Sequence, residues 1–255
     1  MARIVGNDVA SYQGDINYDV YKNNSHFIIV KATEGVGFVD PKFKRNQSEA
    51  RRVNLPLGYY HFARPDLNAN AEAEADHFLA TLGQIYAGEV LVLDYEPNWA
   101  GDAVTWCKRW LDRVFLKTNC RPLIYLNQNQ LRTINWKAVS DGGYGLWVAS
   151  YTYDPNNNNF ITGSFTFAAM QQWTNRQQVP GIAGNVDGNV FFGDVATFKR
   201  YGYQPASPQP PTTDYKALYE EEKKKTASLT EALELSRLEI KNLTGKITRA
   251  KAELA

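Results

Sequence analysis

Along the first two hundred residues, short apolar runs recur at intervals, each closed by polar or turn-forming residues. The runs at 4–9, 27–32, 57–62, 90–95, 123–125, 146–150 and 168–173 are too short for helices and rich in β-branched and aromatic side chains, so they predict strands. Between several of them apolar positions return at helical spacing, as over 70–82 and 102–117. Strands alternating with helices imply parallel pairing, in either a βα barrel or a doubly wound sheet. Gly35-Val36-Gly37 lacks a third glycine and precedes no clear helix, which removes support for a nucleotide-binding sheet. Polar and acidic residues gather at the C-terminal ends of the predicted strands, where barrel enzymes place their sites, and this favours the barrel.

A second regime begins at residue 204. Four prolines and no core residues over 204–213 predict a semi-rigid extended linker between a barrel at 1–203 and a tail at 214–255. In the tail, Tyr215, Tyr219, Leu229, Leu233, Ile240, Leu243, Ile247, Ala250 and Leu254 keep a 3-4 spacing, interrupted at Glu222, Thr226 and Ser236. Charged residues fill the other faces and Asp214 suits an N-cap. A lone amphipathic helix on a proline tether has nothing of its own to bury against, so the expectation is a coiled coil with a second copy of the chain.

Composition narrows the function classes. Apolar residues make up 44% and aromatics 13%, enough for a large core. From 214 onward there are nine Lys/Arg and eight Asp/Glu, leaving nineteen of each before it, so neither part carries a basic nucleic-acid footprint. The first eight residues contain no apolar h-region and no stretch is long enough to span a bilayer, which predicts cytosolic synthesis without an export signal and no membrane insertion. Cys107 and Cys120 are too few for a disulfide framework, and Cys107 sits among Trp106, Trp110 and Leu111 as a buried thiol would. His26, His61 and His77 have no metal-ligand spacing, and no G-x-S-x-G turn offers a serine nucleophile.

The most informative segment is Leu91-Val92-Leu93-Asp94-Tyr95-Glu96-Pro97. On a strand, Asp94 and Glu96 point to one face and Tyr95 to the other, with the two Cα atoms roughly 6–7 Å apart. Paired acids push their pKa values apart, so that one holds a proton while the other is ionised, and glycosidic chemistry needs that division. Asp8 closes the first strand, Glu34 follows Lys31 at the end of the second, and Tyr60 and His61 end the third. Asp187 sits in what reads as a turn, Asn185-Val186-Asp187-Gly188-Asn189, soon after Gln172-Trp173. Singly, each has a plain structural reading: a turn cap, an ion pair, a satisfied imidazole. Together, acids and aromatics at successive strand ends describe a carbohydrate cleft.

Five ordered segments, Asp8-Val9-Ala10-Ser11-Tyr12-Gln13-Gly14, Lys31-Ala32-Thr33-Glu34-Gly35, Tyr60-His61-Phe62-Ala63, Leu93-Asp94-Tyr95-Glu96 and Gln172-Trp173 with Val186-Asp187, resemble the glycoside hydrolase family 25 muramidases, the Chalaropsis-type lysozymes that include many phage endolysins. The resemblance covers residues 4 to about 200. It implies an irregular β/α barrel of five βα units plus extra strands. It also implies cleavage of the β-1,4 bond between N-acetylmuramic acid and N-acetylglucosamine in peptidoglycan, with retention and without a cofactor or metal. Glu96 matches the proton donor, Asp94 its partner acid, and Asp8 and Asp187 the other acids of the cleft; Tyr60, Tyr125, Trp173 and Glu34 are expected substrate contacts. Two acids on one strand approach a sugar from the same side, so Asp94 is expected to steer the substrate's own acetamide rather than to attack. Asn7 and Ala10 depart from the family's usual residues without touching chemistry, whereas the charged tail replaces the wall-binding repeats common in the family. The expected setting is a phage endolysin reaching the wall through a separate membrane-permeabilising protein. A hydrolase of chitin-like glycans, and an idle wall-binding or virion structural protein assembled through the coil, are the alternatives.

Overall fold

The computed structural model describes residues 2–205 and 215–253, with side chains of the last helix described at 223–241 and 243–246. The chain divides into two compact units, with the boundary after Pro205. Most of the expected linker, 206–213, and the expected cap Asp214 lie outside the described residues.

The first unit is a closed barrel. Strands β1 (Ile4–Val9), β2 (Phe27–Glu34), β4 (Leu57–Phe62), β5 (Val90–Asp94), β6 (Leu123–Asn127), β7 (Gly145–Ala149), β8 (Ala168–Gln177) and β9 (Val186–Phe191) pair in that order, and β1 closes the ring by pairing with both β2 and β9. A two-residue strand, β3 (Phe38–Val39), adds antiparallel to the end of β2. Within the ring all pairings from β1 to β8 are parallel, while β9 runs antiparallel to both its neighbours. Segment 186–191 is therefore a strand, not the turn its Asp-Gly-Asn composition suggests.

Five crossovers carry helices: α1 (Tyr18–Tyr21), α2 (Phe43–Arg52), α3 (Ala71–Leu82), α4 (Ala103–Thr118), and the pair α5 (Gln128–Thr133) and α6 (Lys137–Asp141). The connection from β7 to β8 carries none. Side-chain caps set where the helices start. Asn70 accepts from the Ala73 amide at 3.1 Å and Asp102 from that of Thr105 at 3.0 Å, each satisfying a donor the helix itself leaves free.

Alternation along each strand sorts the core into two layers. Outward residues such as Leu91, Leu93 and Tyr95 pack under the helices with Trp106, Trp110 and Trp136. Inward residues Ile4, Phe27, Ile29, Val90, Val92, Leu123, Met170 and Phe191 fill the lower barrel. Helix α7 (Val195–Tyr201) stoppers that end: Phe198 stacks on Phe27 with centroids 4.9 Å apart and meets Phe191 edge-on at 5.3 Å. Beyond it, the Gly88 amide donates to the Tyr203 carbonyl and the Tyr203 amide donates to the Glu89 carbonyl, tying the chain to the start of β5. Cys107 and Cys120 are both buried free thiols.

The second unit is one 39-residue helix, α8 (Tyr215–Glu253), along which Leu229, Leu233, Ile240 and Leu243 are exposed, as are Leu235 and Leu238. No helix among the described residues is long and apolar enough to cross a membrane.

Candidate active site

Where the lower inward positions are apolar, the upper ones are polar. Asp8, Lys31, Glu34, Tyr60, Asp94, Tyr125, Trp147, Gln172 and Asp187, with Glu96 and Tyr151 from the loops above, line a cleft of ≈ 540 Å³. Asp94 is the last residue of β5 and Glu96 follows in the loop that Pro97 continues. Tyr95 between them turns outward and is buried against Trp106 and Trp136. The strand alternation inferred from sequence thus carries two residues past the strand's end, to Glu96. Asp187 reaches the same mouth from the opposite direction: because β9 is antiparallel, its N-terminal end lies at the top, and Asp187 sits directly across the ladder from Asp8.

A hydrogen-bond chain fixes the state of Asp8. The Trp147 indole Nε1 can only donate, and it donates to Asn189 Oδ1 at 3.0 Å. That orients the Asn189 amide nitrogen toward Asp8 Oδ1, at 2.7 Å. Gln172 repeats the arrangement: its Oε1 accepts from the hydroxyls of Tyr125 (2.8 Å) and Tyr151 (3.0 Å), and its Nε2 donates to the same Asp8 oxygen at 3.0 Å. Burial raises the Asp8 carboxyl, but the donors from Asn189 and Gln172 oppose that rise, so of the Asp8–Asp187 pair Asp8 is the more readily ionised member.

The other acids answer to that charge. Burial, repulsion from Asp8 and the proton it shares with Asp8 push Asp187 up to about 8. Asp94 is buried, and desolvation, then the charges of Glu96 and Asp8, raise it well above the carboxylate range; its Oδ1 has no hydrogen-bond partner among the described residues. Glu96 stands exposed at the mouth but is walled in on its cleft side. That partial withdrawal from water, then Asp8, lifts it above an ordinary glutamate, with Lys31 opposing. Four carboxyls face a single ammonium, Lys31, whose Nζ is held by Glu34 at 2.8 Å and lies over the Phe62 ring. They cannot all ionise together, so the cleft stores protons at neutral pH.

The structure gathers Glu96, Asp94, Asp8, Asp187, Tyr60, Tyr125 and Glu34 around one cleft. Glu34 lines it with both oxygens already engaged, one by Lys31 and the other by Arg64 at 2.9 Å, which holds its carboxyl below the usual range. Trp173 does not line the cleft. It packs over Gly188, where an added Cβ would lie 3.0 Å from its ring, and its place is taken by Trp147 and Tyr151. His61 has the structural role: fully buried, it bonds Thr33 Oγ1 at 2.7 Å and Glu74 Oε2 at 2.8 Å and stacks on Trp110. Trp147 and Tyr151 were not singled out from sequence, and Gln172 and Asn189 appear there only within motifs, with no role of their own. The strand at 146–150 is visible there, but which of its faces points inward is not.

The Asp187 proton has a measurable consequence. An unfolded aspartate loses its proton near pH 3.9, whereas the folded one keeps it to about 8, so the native state binds more protons in between. This site's contribution therefore falls as pH rises through that window. Asp187→Asn, which keeps a donor toward Asp8 but cannot ionise, should match the parent's Tm near pH 4 and exceed it increasingly toward pH 8. A constant difference across that range would show that Asp187 is not the protonated partner.

Residues 7–182 match the sequence profile of glycosyl hydrolases family 25. The N,O-diacetylmuramidase of Chalaropsis sp is 32% identical over 203 residues, covering 63% of this chain and 95% of its own. Among solved structures, the bacterial lysozyme from Streptomyces coelicolor superposes with a TM-score of 0.69 at 26% identity, over 79% of this chain and 98% of its own. The CTP1L endolysin does so at 0.67 and 28% identity, over 78% and 70%.

Proposed function

The chain belongs to family 25 of the glycosyl hydrolases and is a glycoside hydrolase, and from that premise we propose that it is a lysozyme cutting the β-1,4 bond between N-acetylmuramic acid and N-acetylglucosamine in peptidoglycan. The observation that carries the reading is the meeting of Glu96 and Asp94 with Asp8 and Asp187 at one barrel mouth. Glu96, raised and open to solvent, donates its proton to the departing glycosidic oxygen. Asp94 lies behind it with a free oxygen. A carboxyl acting as nucleophile would face the donor across the sugar at about 5–5.5 Å. Here both acids hang from one stretch of backbone two residues apart, so Asp94 instead orients the substrate's 2-acetamido group for attack on the anomeric carbon. Water then opens that intermediate, deprotonated by the Glu96 carboxylate, and configuration is retained. Asp8 and Asp187 hold the negative charge and the hydrogen-bond donor on the opposite wall.

The natural setting we assign is lysis of a bacterial wall by a phage endolysin, in keeping with the CTP1L endolysin among its structural neighbours. Purified Gram-positive walls should lose turbidity and gain reducing ends on addition of the chain. Reducing ends from chitin but not from walls would move the substrate to chitin-like glycans. Wall binding without new reducing ends would make it an idle wall-binding or virion protein.

For the second unit we propose pairing with another copy through the face that carries Leu229, Leu233, Ile240 and Leu243, all exposed in the single chain. Two linked barrels would be retained on a polymeric wall by avidity. Light scattering should give a mass at least twice 28.8 kDa, returning to the single-chain mass in Leu233→Asp with Ile240→Asp. A monomeric parent chain would end the proposal.

A further inference from the structure

Beyond the cleft, the helix-free connection between β7 and β8 presents a second feature. Tyr153 has a backbone φ of 56°, in the left-handed region that bulky L-residues rarely adopt, yet the residue is 49% exposed and so is not held there by burial. Backbone and side-chain bonds hold it instead. The Tyr153 amide donates to the Trp173 carbonyl at 2.9 Å, and the buried Gln171 amide donates to the carbonyls of Ser150 (3.0 Å) and Asn157 (3.3 Å) on either side. The Arg176 guanidinium lies over the ring, 4.1 Å from its centroid. Arg176 makes no ion pair among the described residues, unlike Arg45, Arg51, Arg52, Arg64, Arg109 and Arg113 but like Arg3, Arg121, Arg132 and Arg200, so what sets it apart is its place on the Tyr153 ring. The Tyr153 ring is 6.3 Å from that of Tyr151, which lines the cleft and bonds Gln172.

We propose that Tyr153 and Arg176 form a distal subsite of the cleft that takes a pyranose bearing a carboxylate, that is, a muramyl residue of the strand. This rests on the peptidoglycan reading and adds to it the group that marks muramyl sugars apart from neutral ones. An exposed aromatic ring offers the sugar a flat apolar face, and a guanidinium already flattened on that ring keeps its N–H edge for an anion. β8 supplies Gln171, which pins the loop, Gln172, which reaches the acids, and Arg176 itself. Register along one strand therefore sets the distance between the subsite and the scissile bond. The carboxylate has two sources: the lactyl group of the sugar and the peptide stem attached to it.

The test uses the full chain carrying Glu96→Gln, so that bound strands stay intact, and measures dissociation constants for three soluble ligands. These are peptide-bearing glycan strands, strands stripped of peptide that retain free lactyl carboxylates, and a neutral N-acetylglucosamine oligomer. Adding Arg176→Gln should weaken the carboxylate-bearing ligands about tenfold, the scale of one charge-assisted hydrogen bond, and leave the neutral oligomer within about twofold. Loss on both acidic ligands assigns the lactyl group, and loss on the peptide-bearing strand alone assigns the stem. Tyr153→Asn, a residue that tolerates positive φ, should weaken all three while Tm holds or rises, which a purely structural role would not produce. Equal loss on acidic and neutral ligands from Arg176→Gln, or no loss from either substitution, overturns the subsite, as does failure to bind any of the three. If the unsubstituted chain also clears no wall, the lysozyme reading falls with it.

Discussion

Glu96→Gln should lower the rate of wall hydrolysis by about 10²–10⁴-fold, the contribution of a positioned general acid. The substitution keeps shape and hydrogen bonding and removes only the transferable proton. Because Glu96 stands exposed at the mouth, folding should be untouched. Removing one of four mutually repelling carboxyls relieves Asp94, whose second-largest perturbation is the Glu96 charge, so Tm at neutral pH should not fall. The pH profile carries the sharper signature. As the proposed donor, Glu96 would act in its protonated form, and its carboxyl lies above the ordinary range, so the parent's activity should fall as pH rises past that raised value. The residual activity of Glu96→Gln should lose that limb. A variant within a few-fold of the parent would place the donor elsewhere in the ring of acids.

A large effect on stability is expected below the acids, at Gly6. It occupies the inward column of β1 between Ile4 and Asp8, where a Cβ would lie 2.4 Å from the Phe27 carbonyl oxygen and 2.6 Å from the Phe27 ring. The ring could turn, but the carbonyl belongs to the neighbouring strand, so relief requires moving β1 or β2. Gly6→Ala should cost about 3 kcal/mol, at the upper end for overpacking, and lower Tm by roughly 6–12 °C for a unit of this size. Activity should fall as well, since Asp8 lies two residues along the displaced strand. Gly37→Ala is the matched control: a Cβ there meets nothing within 4 Å and its φ is not positive, so Tm should be unchanged. Equal stability of the two variants would mean that the barrel yields at this point.

These two positions also mark what the sequence made legible. The parallel strands announced themselves because their outward residues are covered by helices and their lower inward residues fill the barrel, leaving near-continuous apolar runs. Asp94 and Glu96 were readable because they end such a run. β9 was not. Val186-Asp187-Gly188-Asn189-Val190-Phe191 puts an acid and an amide at inward positions that face a polar mouth, so the apolar pattern breaks where the strand does its chemical work. Its antiparallel direction, which delivers Asp187 beside Asp8, is a property of the closed sheet and has no local signature. Trp147 and Asn189 were hidden for a related reason: alternation tells which residues share a face, and only closure of the barrel tells which face is inside. Trp173 illustrates the converse. An aromatic beside a cleft residue on a strand belongs to the other face.

The stopper at the base of the barrel also bears on how a reaction cycle must run. Among the described residues, Phe198 and Phe191 fill that end, and the mouth above is where the acids open to solvent. The departing sugar and the incoming water therefore share one doorway, and hydrolysis queues behind release. In a cross-linked wall a cut strand is still tethered on both sides and leaves its berth slowly. Turnover should then be slower on intact, cross-linked walls than on soluble strands, by the time a cut strand takes to leave.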